Sequence, residues 1–218
     1  SPGKEIISRR AAEEQRKKIR ILVLVFLSDL SVSVGKETTV KLKDLILANR
    51  SYRRFEENFT ISQQTLLELV DLARLSPSAG NKQPLRYILS FQPERNSRIF
   101  AFLQWAAYLT DWPGPAEGEK PSAYIIILGD SRISPAILCD HGIAAQSILL
   151  GAVEKGLGGC VIASIKKDEL RKELDIPEHL DILLVIALGK PREEIRLEEV
   201  KDNGDIKYWR DEQGVHHV

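Results

Sequence analysis

The chain has 218 residues, enough for one domain with a sizeable core, or for a core domain carrying an appendage. Lysine plus arginine equal aspartate plus glutamate at 31 each, so no net field is available to gather nucleic acid or an anionic membrane, and any anion site must be local. The only cysteines, Cys139 and Cys160, make neither a disulfide framework nor a zinc cluster and read as buried thiols.

Residues 1–38 read as an appendage to a main domain over 39–218. Arg9 to Arg20 is charged and helix-prone, and Ile21 to Leu27 is an apolar run too short to span a bilayer. The expectation is an amphipathic helix or strand packed on the body or on a partner subunit, in a cytoplasmic protein without membrane or nucleic-acid partners. The alternative is export, with residues 16–33 as a secretory signal, a pattern that Asp29 opposes.

From Thr39 the pattern is regular. Val40, Leu42, Leu45, Ile46 and Leu47 predict a short helix ending near Asn49, and Ile61 to Leu75 predicts a second with Ser62 as N-cap. Leu85 to Phe91, Ala123 to Gly129, Cys160 to Ser164 and Ile182 to Gly189 are short runs rich in Ile, Val and Leu that read as strands needing cover on both faces. Helical cover is expected from Arg98 to Leu109, from Ile137 to Lys155 and from Lys167 to Leu174, around a central sheet. Asn203-Gly204 and Gln213-Gly214 flank a strand-like segment from Ile206 to Arg210.

Both early helices lead into segments with more chemistry than packing. Arg50-Ser51-Tyr52-Arg53 offers two guanidinium forks and a hydroxyl, which a turn directly after a helix can aim at one phosphate. Two solvated arginines and a capping serine are the plainer reading. Pro77 and Pro84 bracket a loop in which Asn81 and Gln83 each carry a donor and an acceptor, suited to reading the edge of a heteroaromatic ring, though the composition also fits a plain turn. Gly156-Leu157-Gly158-Gly159 matches neither the dinucleotide fingerprint nor the phosphate loop; it reads as a helix stop or as a place where backbone N–H groups approach a flat ligand. Asp140-His141 beside Cys139 lacks a serine elbow and reads as packing, so no catalytic side chain is assigned. His216 and His217 have no spaced third ligand and read as tail residues, so no metal site is assigned. Aromatic residues between Phe100 and Pro121 are expected to wall a substrate pocket or simply to fill a helix face.

Taken together, NRSYRRF, ARLSPSAGNKQPLRY, DHGIAAQSILLGAVEKGLGGCVIASI and ELDIPEHLDILLVIALGKP resemble the FMN-dependent nitroreductase family over Leu42 to Pro191. The resemblance implies an α+β sandwich, with a central, mainly antiparallel or mixed sheet flanked by helices, in an intertwined homodimer with flavin at the interface. It implies that Arg50, Ser51 and Arg53 bind the FMN phosphate and ribityl chain, and that Pro77, Ser78, Asn81 and Gln83 line the flavin, with Pro77-Ser78 reaching the flavin of the other subunit. Ile162 and Ala163 correspond to the stretch whose backbone lies near the reactive ring nitrogen. The implied activity is transfer of hydride from NADH or NADPH through FMN to nitroaromatics, quinones or similar acceptors, in ping-pong order. Asn49 stands where the family often has arginine, Leu85 where it often has tryptophan, and a Pro-Lys-Arg phosphate contact usually follows the residues that end here at Val218. These departures motivate the alternative of a non-enzymatic flavin-binding or regulatory protein and the expectation of weakened FMN retention.

Overall fold

A computed structural model describes residues 6–7, 40–200 and 204–218. The expected appendage over 1–38 therefore lies, apart from two residues, outside the described residues. Five antiparallel strands form the main sheet in the order β1 (Ile6–Ile7), β2 (Leu85–Ser90), β3 (Ala123–Asp130), β5 (Leu180–Gly189) and β4 (Gly158–Ile162). Strands without polar alternation usually belong to parallel sheets, but here an antiparallel sheet takes them because helices cover both faces. Along β3 every residue is buried, and alternation sends Ile125 and Ile127 to one face and Tyr124, Ile126 and Leu128 to the other.

On the first face lie α2 (Gln63–Leu75) and α4 (Asp140–Glu154), with Leu66, Leu69, Ile148 and Ala152 fully buried. Ser62 caps α2 by accepting from the Thr65 N–H at 3.1 Å, the role its sequence position implied. The second face is closed by α3 (Pro93–Phe100), through Ile99, and by α5 (Lys167–Glu173), through Leu170. The layered α+β sandwich is thus as expected, and its main sheet is wholly antiparallel.

Three differences from the sequence reading bear on the region around β4 and the C-terminal strands. The helix expected over Arg98 to Leu109 is instead α3, begun by Pro93 in its first turn and finished at Phe100. Beyond it the chain pairs with the segment after β4: Leu103 bridges Ile165, Gln104 N–H donates to the Ser164 carbonyl at 3.0 Å, and Lys166 N–H donates to the Phe102 carbonyl at 2.9 Å. Those backbone bonds override the helical spacing of the aromatics. Likewise β4 begins at Gly158, two residues early, so only Gly156, with φ of 71°, acts as the helix stop. The strand expected over Ile206 to Arg210 shortens to β7 (Trp209–Arg210), which joins β8 (His216–His217) and β6 (Ile195–Arg196) in a small sheet ordered β6-β8-β7.

Candidate functional site

The RSYR segment leaves α1 (Leu42–Ala48) and runs along the free edge of β4. Ser51 bridges Gly159, and Tyr52 N–H donates to the Gly159 carbonyl at 3.0 Å. The approach depends on glycine, because a Cβ on Gly158 would stand 2.5 Å from the Tyr52 ring. Glu193, with only 1% of its side chain exposed, then fixes the turn. One of its oxygens accepts both backbone N–H groups of Arg53 and Arg54, the latter at 3.1 Å, while the other meets Arg210 Nη2 at 2.8 Å.

This turn carries Arg53 into a cleft of about 150 Å³. Ile162 and Ala163 at the end of β4 line the same cleft, as do Trp105 and Tyr208. The Arg53 guanidinium donates to the Ser51 carbonyl at 3.1 Å, lies 3.2 Å from His216 Nε2, and covers the Tyr208 ring at 4.9 Å from its centroid. Arg50 and Ser51 do not join it. Arg50 Nη2 folds back onto the Ile46 carbonyl at 2.7 Å, Arg50 Nε is buried without a partner among the described residues, and the backbone of the exposed Ser51 bridges β4. Of the three residues expected to converge on one phosphate, Arg53 alone lines the cleft. Asn49, which stands before Arg50, donates its side-chain amide to Gln146 at 3.3 Å on α4.

The second segment is organised by Asp140, a buried residue at the start of α4. Its carboxylate accepts Ser78 Oγ at 2.6 Å and Ala79 N–H at 2.9 Å, and Ser78 Oγ in turn accepts Gln83 N–H at 2.9 Å. Asn81 and Gln83 have φ of 54° and 53°, and the Gln83 amide donates to the Asn81 side-chain oxygen. The result is a braced bend, following Pro77, that displays two carboxamides. Asp140 spends both oxygens on this bend, which accounts for it without nucleophilic chemistry.

Within one protomer the two segments start from neighbouring residues of α4, where Asn49 meets Gln146 and the Ser76 hydroxyl lies 2.7 Å from that of Ser147, and their far ends diverge. The bend enters β2 beside Asp130, whose N–H donates to the Pro84 carbonyl at 2.8 Å, and Asp130 pairs with Leu180. The RSYR turn instead meets Gly159, which pairs with Leu188. Eight residues of β5 separate those positions, roughly 26 Å along the strand.

The model of the nitroreductase family matches residues 46–190. The chain belongs to this family. Among curated relatives, a protein of Archaeoglobus fulgidus assigned as an NADH dehydrogenase/NAD(P)H nitroreductase is 28% identical, over 72% of this chain and 90% of that protein. An FMN reductase (NADPH) of Bacillus subtilis is 26% identical, over 68% of this chain and 65% of its own length. The solved FMN-dependent nitroreductase of Clostridium difficile R20291 superposes with a TM-score of 0.57 at 22% identity, over 74% of this chain and 93% of that one. A nitroreductase-family structure from Exiguobacterium sibiricum, in complex with FMN, gives 0.59 at 18% identity, over 72% and 91%.

The residues that brace the RSYR turn or touch Arg53 and that the sequence did not disclose are Glu193, Arg210, His216 and Tyr208. Each lies 139 to 163 positions from the turn it braces, or sits on the short C-terminal strands, and no periodicity couples them to it. The available signal was composition, a short C-terminal stretch rich in aromatic, histidine and arginine residues. His217 belongs to the scaffold, stacked on Trp209 at 4.0 Å and paired with Glu198 at 2.6 Å and Asp211 at 3.2 Å. Among the described residues no helix is long and apolar enough to cross a membrane.

Proposed function

We propose that this nitroreductase-family chain is an FMN-dependent oxidoreductase that uses NADH or NADPH to reduce electron-poor acceptors, nitroaromatics and quinones foremost. The observation that carries the reading is Arg53. Glu193 pairs with Arg210 and Glu119 with Arg54, so among the described residues the Arg53 guanidinium keeps its charge uncancelled at the cleft. An uncancelled guanidinium beside the end of a strand is what a flavin nucleotide's phosphate requires. When bound, FMN supplies the two-electron chemistry, accepting hydride from the nicotinamide and passing it to the acceptor. The chain's own work is to hold and shield. Arg53 would hold the phosphate, Ile162 and Ala163 would wall the ring, and Trp105 with Tyr208 would keep water from the cleft. No acid–base side chain is assigned.

The site is shared between two copies, over a flavin domain comprising residues 39–218. A cleft of about 150 Å³ is small for a cofactor of this size, since ligand pockets are typically ~300 Å³ or more. A second protomer would enlarge it by contributing its Pro77, Ser78, Asn81 and Gln83 bend. The apolar cost of standing alone points the same way: α1 buries none of its residues, and Leu42, Ile46, Leu47 and Leu75 are exposed.

Anaerobic titration tests the reading. FMN added to the protein should bind, bleach on addition of NADH or NADPH, and recover its colour with a nitroaromatic or quinone. Bound flavin that refuses hydride would leave a flavin-binding or regulatory protein instead. Arg53→Ala should weaken FMN binding by about 1.5–3 kcal/mol, the worth of a charge-assisted bond; unchanged affinity would remove Arg53 from the site.

A further inference from the structure

Among the described residues, the groups that aim Arg53 are all neutral. Its guanidinium is held by the Ser51 carbonyl at 3.1 Å, by His216 Nε2 at 3.2 Å and by the face of Tyr208. The nearby carboxylate, Glu193, is committed to the backbone of the turn and to Arg210. A carboxylate on Arg53 would orient it more strongly, but would also cancel the charge an anionic ligand needs. A neutral acceptor orients without cancelling.

Imidazole is such an acceptor only while unprotonated, and its surroundings enforce that state. His216 is fully buried, and burial first, then Arg53, Arg210, His217 and Arg54, pushes its pKa down to about 4. With Nε2 accepting from Arg53, the ring proton resides on Nδ1, which is buried without a partner among the described residues. An apolar side chain of similar size would avoid that unpaired donor. What the fold retains at this cost is the acceptor.

We propose that His216 is a positioning residue, whose neutral imidazole aims Arg53 at a phosphomonoester while leaving its charge intact, so that the C-terminal arm selects the phosphorylated flavin over the unphosphorylated one. This rests on the assignment of Arg53 to the flavin phosphate. Tyr208, whose ring lies tilted against Tyr108 at 5.0 Å and His216 at 5.3 Å, backs the guanidinium from the same arm.

The test compares FMN with riboflavin, which lacks the phosphate, by fluorescence titration at neutral pH of the wild type, His216→Leu, His216→Gln and His216→Glu. The wild type should prefer FMN. His216→Leu should lose about tenfold in FMN affinity, with riboflavin affinity nearly unchanged. His216→Gln, which returns an acceptor oxygen near the Nε2 position, should restore most of the preference. His216→Glu should abolish it, because the carboxylate captures Arg53. The inference is overturned if His216→Leu keeps the wild-type preference, if both flavins weaken equally, or if glutamine fails to rescue. If the wild type itself binds the two flavins alike, the phosphate assignment of Arg53 fails first, and this inference falls with it. Melting curves establish that each variant is folded; should the leucine variant unfold, the glutamine and glutamate variants decide the matter, since they differ in charge at nearly constant size.

Discussion

Two adjacent histidines in this chain are set to titrate in opposite senses. His216 is surrounded by guanidiniums and buried, so its folded pKa falls to about 4, from an ordinary value of 6.5. His217 is raised by its hydrogen bond to Glu198, with Asp211 assisting against desolvation. The signs follow from linkage: the unfolded chain binds more protons at His216 between pH 6.5 and 4, so that residue's contribution is intact above 6.5 and lost as acid is added. His217 contributes below its unfolded pKa and loses that contribution as pH rises through its raised folded value. Denaturant unfolding of the wild type and His216→Gln from pH 7.5 to 4.5 should separate the first effect, because carboxylates and His217 are common to both. The wild type should lose about 2 kcal/mol more than the variant across that interval; parallel curves would mean that His216 is not held neutral. At this scale the sequence was legible where chemistry was contiguous. Arg53, Ile162 and Ala163 could be found in short motifs, whereas His216 and Glu193 acquire their roles only when the tail folds back.

The elements were legible where burial alone decides them. β2, β3, β5, α2 and α4 fall close to their expected limits, because unbroken apolar runs and a serine cap leave few alternatives. Boundaries failed where backbone pairing competes with side-chain periodicity, as from Leu103 to Lys166, and where glycine serves as strand rather than stop. Gly159 shows what that difference costs. A Cβ there would lie 2.6 Å from Leu149 Cδ2 and 2.7 Å from the Ala187 carbonyl oxygen, and the second contact is backbone of the neighbouring strand that cannot swing aside. Gly159→Ala should therefore lower stability by about 1–3 kcal/mol, read from the denaturation midpoint. FMN affinity should fall with it, since Tyr52 N–H is anchored on the carbonyl of this residue. A variant as stable and as tight-binding as the wild type would show that β4 is looser than its register implies, and that the RSYR turn is not positioned by it.

At the scale of the molecule, the separation of the two motif segments becomes a statement about assembly. The far ends of the two segments are anchored eight residues apart along β5, and the proposed site draws Arg53 and the Asn81 bend from different copies, related by the self-complementary contact of a twofold dimer. Mixed dimers test this directly. Let one chain carry Arg53→Ala and the other Asn81→Gly with Gln83→Gly; glycine removes each carboxamide and adopts φ of 54° and 53° without strain. If each site takes its arginine from one copy and its bend from the other, a mixed dimer holds one intact site and one with both defects. It should then bind about one FMN with wild-type affinity per pair of chains, while either variant alone binds weakly at both sites. Were each site built within a single protomer, every site in the mixture would carry one defect, and no wild-type affinity would return. Recovery of a tight site from two defective chains thus requires the bend of one copy to reach the arginine of the other.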